Sequence, residues 1–362
     1  MKRTIAILLV GFLAVAAVSG QTASLGAVAP KDPRSMAMGG AFVAMSEGYQ
    51  SFFGNPASFG DKKAELTLVS VNPWVYVSPS QANIASAQDV VGYISDNTME
   101  AAVGPLSDLI ADNGFGAGVA AGLGWVGKGL GLGLVGGGDV YIDGQTLLGA
   151  EGTVDAQMAA VIGIGLPLQI GPLRFQAGGD LRPYLRMTGN LAATDLLGSV
   201  MGGDDAETFD PMSINVDVGF GLALDIGAKM DRGKMMSVGI AVRDIAPNMS
   251  LATLTLGEFL TALSTGDLPA GDKAYASIPN ITLGASISPI PVPLRPLLDV
   301  LVVAELQDPL SVIEDIQTYG NASSMWGLFH VGAEAELLGG LIVGRVGINK
   351  GWISFGDRKS TV

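Results

Sequence analysis

The chain has 362 residues, no cysteine, one histidine and a net charge of −14, with 48% hydrophobic but only 15% charged residues. Lack of cysteine excludes disulfides and thiolate metal sites, a single histidine excludes a histidine metal cluster, and the acidic balance argues against nucleic acid or anionic lipid as partner. A soluble domain carries about 25% charged residues; so low a share, with no apolar run of spanning-helix length beyond the N-terminal leader, favours a single wall of membrane-spanning strands with a plug.

In chain order, Lys2 and Arg3 precede an apolar stretch from Ile5 to Val18, then Ser19, Gly20 and Gln21. This is the pattern of a signal peptide over residues 1–20, and it implies export. Residues 21–61 are non-periodic and rich in glycine, alanine and methionine; they form the plug, and residues 62–362 form the wall. A first strand is expected over residues 64–77, broken at Asn72-Pro73. Residues 84–111 have helical spacing at Val90, Val91, Ile94, Leu106, Leu109 and Ile110, with a break at Gly104-Pro105, and predict two short helices in an extracellular insertion.

Strands then follow over residues 114–126, 129–142, 153–166, 173–188, 212–228, 235–245, 278–288, 298–307, 326–337 and 341–355, about eleven in all. Helix-like insertions near residues 191–201, 254–263 and 310–318 would cap or cover a barrel mouth. Tight turns are expected at 229–233 and 338–340, as on the periplasmic side of outer-membrane barrels.

The clearest signal is strict alternation. From Leu173 the odd positions Leu173, Phe175, Leu181, Leu185 and Met187 are apolar, while the even ones include Arg174, Gln176, Asp180, Arg182 and Arg186. From Met212 the phase reverses, with Val216, Val218, Phe220, Leu222, Leu224 and Ile226 apolar between Asp217, Gly219 and Asp225. A period of 2 held this long suits a tilted membrane strand with extramembrane ends. Charges on the lipid face would cost a few kcal/mol each, so the phase places Arg174, Arg182, Arg186, Asp217 and Asp225 inside. Two roles are open to them: holding a ligand carboxylate in a guanidinium fork, or bracing barrel and plug through salt bridges. Glu305, Glu334, Glu336 and Arg345 read as more of the same network.

The segment Asp32-Pro33-Arg34-Ser35-Met36-Ala37-Met38-Gly39-Gly40-Ala41-Phe42-Val43-Ala44, followed by Phe53-Gly54-Asn55-Pro56-Ala57-Ser58-Phe59, resembles the N-terminal region of FadL-like outer-membrane transporters. Leu224–Ala228 with Val238–Asp244, and His330–Glu334 before Arg345–Gly351, are similar to the spirochaetal and PorV-like branches of that superfamily. The resemblance implies an all-β transmembrane antiparallel barrel of about 12–14 strands. Residues 21–61 would be a hatch, with short helical insertions elsewhere, in the outer membrane of a diderm bacterium.

It also implies passage of hydrophobic compounds such as long-chain fatty acids, with release through the wall. Asn55, Pro56 and Ala57 would form the hatch's functional turn, and Ser35, Met38, Gly39 and Gly40 would belong to the gate. Gly39-Gly40 permits close backbone approach, Asn55 and Pro56 suit a turn, and Phe42, Phe52, Phe53 and Phe59 offer an apolar surface inside a polar lumen. A purely structural plug is the alternative. The PorV-like relatives imply another class of function, a scaffold that hands over secreted proteins; a plain diffusion porin is a third. Partners on this view are hydrophobic small molecules, outer-membrane lipid and the barrel-assembly machinery.

No catalytic constellation or cofactor motif stands out. His330 would have to serve any triad alone, and Gly136-Gly137-Gly138 lacks a phosphate-loop lysine. Barrels of this class usually finish in a strand with a terminal aromatic residue, whereas this chain passes Gly351–Gly356 and stops at Val362. The expectation is closure at a smaller strand number, pairing with a second polypeptide, or a truncated product.

Overall fold

The computed structural model describes residues 32–77, 85, 86, 88–90, 92, 93, 99–111, 114–144, 146, 149–192, 211–267, 271, 273–275, 279–310, 325–349 and 352–359. The expected signal peptide, hatch residues 21–31, the insertion near 310–318 past its first residue, and most of that near 191–201 lie outside them.

The fold is all-β. Strands β1 (Glu65–Val77), β2 (Phe115–Gly127), β3 (Leu130–Asp143), β4 (Glu151–Ile170), β5 (Leu173–Ala192), β6 (Asn215–Arg232) and β7 (Met236–Thr255) form a continuous antiparallel meander. It continues through β9 (Asn280–Ile287), β10 (Leu298–Gln307), β11 (Phe329–Leu337), β12 (Ile342–Asn349) and β13 (Trp352–Lys359). The three-residue β8 (Lys273–Tyr275) pairs only with β7, completing a 13-stranded sheet. No ladder joins β1 to β13 among the described residues. No described helix is long and apolar enough to cross a membrane.

The outward face is apolar: Leu132 and Leu134 on β3, Ile162, Ile164, Leu166 and Leu168 on β4, Phe220, Leu222 and Leu224 on β6, and Val346 and Ile348 on β12 are all exposed. In β5 the alternation is realised as read, with Leu181 45% exposed between Asp180 at 2% and Arg182 at 3%. A wall apolar without and polar within is the pattern of a membrane-spanning barrel. The sheet curls around residues 32–61: a Cβ at Gly165, Gly178 or Gly239 on one side, or at Gly332 or Gly347 on the other, would overlap this N-terminal segment.

The structure corrects several expectations. Asn72-Pro73 does not break β1: Pro73 stays in register opposite Val119, and the irregularity falls between Thr67 and Ser70. β1 is an end strand of the sheet, where a residue without an N–H is tolerated. Residues 341–355 fall into two strands, β12 ending at Asn349 and β13 starting at Trp352 opposite it, while positions 350 and 351 lie outside the described residues; the sequence Asn-Lys-Gly carries a turn signal that the alternation around it masks. β6 runs on through Lys229–Arg232 to a shorter turn, and Met212 lies in a 3-10 turn (Pro211–Ser213) ahead of the strand.

Helix α1 spans Pro33–Ala37 and α2 spans Met99–Ala111. α2 continues through Pro105, where a break was expected; Leu106 and Ile110 pack with Ile142 and Ala150, so burial offsets the missing hydrogen bond. Helix α3 (Leu256–Thr265) starts at a capping box of Thr255 and Glu258. It lays Phe259 over Val216 and Val218, so these two residues of the apolar phase are buried by protein instead of facing out.

Candidate functional site

The candidate site is the junction between the wall and residues 32–61, the described part of the expected hatch, which grip the wall in two halves. In the first, Asp32 caps α1 by accepting from the backbone N–H groups of Arg34 (3.0 Å) and Ser35 (3.1 Å). The chain then turns at Gly39 and Gly40, whose φ values of 71° and 80° favour glycine. Gly39 lies so close to the backbones of Val331 and Ile348 that no side chain fits. Met38, Ala41, Phe42, Val43 and Met45 form a buried cluster with Ala241 and Val303, and Ser35 is fully buried.

Polar clamps from β10–β13 hold this half. Glu305 Oε2 accepts from the N–H groups of both Phe42 (2.9 Å) and Val43 (2.7 Å). Gln307 donates to Glu305 Oε1 (2.7 Å) and to the Gly40 carbonyl (2.8 Å). His330 Nδ1 lies 2.7 Å from the Gly39 carbonyl, which only accepts, so that nitrogen carries the proton. Arg34 reaches both oxygens of Glu334, at 2.8 and 3.1 Å, and Arg345 pairs with the same carboxylate. Burial opposes the charge on Arg34, but Glu334 outweighs it and holds the guanidinium pKa above its ordinary value.

The second half consists of two 3-10 helices, Gly48–Phe52 and Pro56–Gly60. Asn55 caps the latter, its Oδ1 accepting from Ala57 N–H at 3.0 Å. Its Nδ2 donates to the carbonyls of Ala228 on β6 (3.1 Å), Ile240 on β7 (3.3 Å) and Val43 of the hatch (3.4 Å). One buried amide thus ties the two hatch halves to each other and to two strands. Pro56 and Ala57 lie against Gly178, and Pro56 also against Gly227. The Tyr49 hydroxyl is pushed up to about 12 by burial, with the Asp32 carboxylate adding to it.

The aromatic residues sit differently from expectation. Phe52, Phe53 and Phe59 do not present an apolar surface to a polar lumen; they are buried among Val126, Val135, Val161, Tyr184 and Leu251, because the sector of the inward wall that they face is itself apolar. The rings lie on glycines of the wall, Phe52 against Gly124 and Gly133, and Phe59 against Gly131 and Gly163.

The three arginines serve different partners. Arg174 donates to the Gly60 carbonyl (2.8 Å) and pairs with Asp61 (3.2 Å). Arg182 donates to the Phe52 carbonyl (2.7 Å) and pairs with Asp225 (2.9 Å) and Asp180 (3.3 Å), while its buried Nε has no hydrogen-bond partner among the described residues. Arg186 pairs with Asp155 of β4 at 2.6 Å. Asp225 is the hub, also pairing with Arg243 (3.3 Å) and accepting from the N–H of Asp244 (2.8 Å). Asp217, expected in this network, instead accepts from the Thr253 hydroxyl at 2.5 Å; it stands opposite Thr188, beyond the arginines' register. Asp155, Arg243 and Gln307 were missed. Their strand parity marks them as inward, but nothing local says that Asp155 and Arg243 meet wall partners while Gln307 meets residue 40.

Against known proteins, no family model matches the chain and no curated protein matches it. Among solved structures, the ferric citrate transporter FecA in its unliganded form aligns at 14% identity with a TM-score of 0.27. The alignment covers 65% of this chain and 34% of that one, about a third of its length.

Proposed function

We propose that this chain is an outer-membrane conduit for hydrophobic compounds, long-chain fatty acids first among them, gated by movement of the hatch within a standing wall. One observation carries the reading: Arg182 donates to the carbonyl of Phe52, whose ring fills an apolar bed of Val126, Val135 and Val161. Displacing the short helix Gly48–Phe52 would therefore uncover a guanidinium and an apolar groove together, a match for a carboxylate head on a hydrocarbon tail. The resemblance of residues 32–59 to FadL-like transporters points the same way. Apart from the chain's continuity into β1, the described part of the hatch is held by hydrogen bonds, ion pairs and packing that a local shift can exchange. On this reading the protein is exported to the outer membrane, has no catalytic role, and requires barrel-assembly machinery and surrounding lipid.

The test is uptake of a labelled long-chain fatty acid by cells lacking their own transporter and expressing this chain, with heat-modifiability on a gel reporting folding. Uptake that falls with Asn55→Ala and with deletion of residues 24–60 is expected. Folded protein without uptake of any hydrophobic compound overturns the proposal and turns attention to the scaffold reading. Steady ion conductance through the intact protein would instead mark a porin.

A further inference from the structure

The loop from Ser288 to Leu297, joining β9 to β10, reads Ser-Pro-Ile-Pro-Val-Pro-Leu-Arg-Pro-Leu. Loops between strands are normally polar, yet Val292, Leu294 and Leu297 are 54–63% exposed, and Leu338 of the neighbouring β11–β12 turn is 60% exposed. The alternation of a strand does not account for this, since the loop holds a 3-10 turn at Val292–Leu294 and no strand.

Four of its six backbone N–H groups are satisfied within the protein. Pro289, Pro291, Pro293 and Pro296 have no N–H to satisfy. The N–H groups of Ser288, Leu294, Arg295 and Leu297 all donate to backbone carbonyls, those of Met235 (2.8 Å), Pro291 (2.9 Å), Val292 (3.4 Å) and Leu294 (3.0 Å). The one charged side chain is turned inward as well. Arg295 donates to the carbonyls of Ile290 (3.0 Å), Lys234 (3.0 Å) and Ser288 (3.3 Å) and lies 3.7 Å from Asp299. The Leu338 N–H closes the contact by donating to the Leu297 carbonyl at 3.0 Å.

A loop facing bulk water gains little from hiding its only charge and most of its N–H groups, whereas the interfacial layer of a bilayer, where apolar side chains meet lipid, favours both. The exposed apolar residues of the loop also continue the outward band of Leu298 and Val302 on β10 and Leu337 and Ile342 on the next hairpin. We infer that the Ser288–Leu297 loop is seated in the lipid of the periplasmic leaflet, anchoring the β9–β12 sector below the edge of the spanning strands. The adjoining β6–β7 turn carries the exposed charges Arg232 and Lys234 beside the exposed Met235, and on this reading its charges reach water. The inference rests on the wall being membrane-spanning, with its short turns on the periplasmic side.

The chain has no cysteine, so single nitroxide labels can be placed cleanly. Leu294→Cys and, independently, Val292→Cys would be labelled in the full chain folded into phosphatidylethanolamine–phosphatidylglycerol vesicles, beside Val302→Cys on the outward wall and Lys234→Cys on the neighbouring turn. The ratio of oxygen to water-soluble nickel accessibility should be several-fold higher at positions 292 and 294 than at 234, and close to that at 302. Labels at 292 and 294 that behave like 234 overturn the inference and leave the wall intact. Labels there shielded from both reagents also overturn it, since protein and not lipid would then cover the loop. A water-accessible label at 302 in folded protein overturns the membrane-wall reading itself.

Discussion

The two faces of the β5–β6 pair are built from the same residues in alternation, yet they answer to different constraints. Outward, Leu181, Phe220, Leu222 and Leu224 need only be apolar, because lipid accepts any such side chain. Inward, Arg182, Asp180 and Asp225 must meet one another and the Phe52 carbonyl within hydrogen-bonding distance. The outward face is fixed by a one-dimensional pattern; the inward face depends on which residue of which distant strand lies opposite. Substitutions that separate the two faces therefore test both.

The largest expected effect is at the inward hub. Arg182→Ala leaves Asp225 and Asp180 buried with their charge less fully compensated, and removes the donor to the Phe52 carbonyl. Breaking a buried pair by removing one partner costs about 3–5 kcal/mol. Urea unfolding of the vesicle-inserted protein should show that loss. A wild-type midpoint and slope in the variant would mean that the cluster is solvated and does not grip the hatch.

Next comes the outward face. Leu134→Lys, in mid-strand and exposed, should cost about 2–4 kcal/mol if lipid covers it. In water the same change would be close to neutral, so the measurement decides what the band touches. Smaller again is Asn55→Ala. It removes the donor to the Ala228, Ile240 and Val43 carbonyls and the cap on Ala57. Leaving buried backbone groups unpaired costs about 1–3 kcal/mol. Limited proteolysis should cut the hatch sooner while the wall keeps its heat-modifiability. A hatch as resistant as wild type would contradict the bridging role.

The same contrast explains what could be read in advance. Alternation located the strands β2 to β7 and the inward phase of β5 and β6, and the Asn55-Pro56 pair gave the start of a turn in the N-terminal segment. It failed where a local signal cut across it, as at Asn349-Lys350-Gly351, and where a strand was only three residues long, as in β8. The hatch clamps were legible only as inward-pointing polar residues. Glu305 accepting from Phe42 and Val43 joins positions more than 260 residues apart, and no local pattern carries that information. The aromatic residues were misplaced for a related reason: an inward face can be apolar wherever another part of the same chain, rather than water, fills the lumen.

The α3 helix shows the converse, an outward face covered by protein. Val216 and Val218 belong to the lipid-facing phase of β6 but lie under Phe259, beyond the stretch of Phe220 to Ile226 that remains exposed. If α3 replaces lipid there, weakening its start should uncover the two valines without disturbing the wall. Thr255→Ala removes one arm of the capping box, the acceptor for the Glu258 N–H, at a cost of about 0.5–2 kcal/mol borne by the helix alone. A fluorophore on Val218→Cys should then report faster quenching by a water-soluble agent, while the global unfolding midpoint hardly moves. If the midpoint falls as far as it does for Arg182→Ala, the helix is part of the wall's cooperative unit, and the boundary between lipid-covered and protein-covered strand is not where residues 218 and 220 place it.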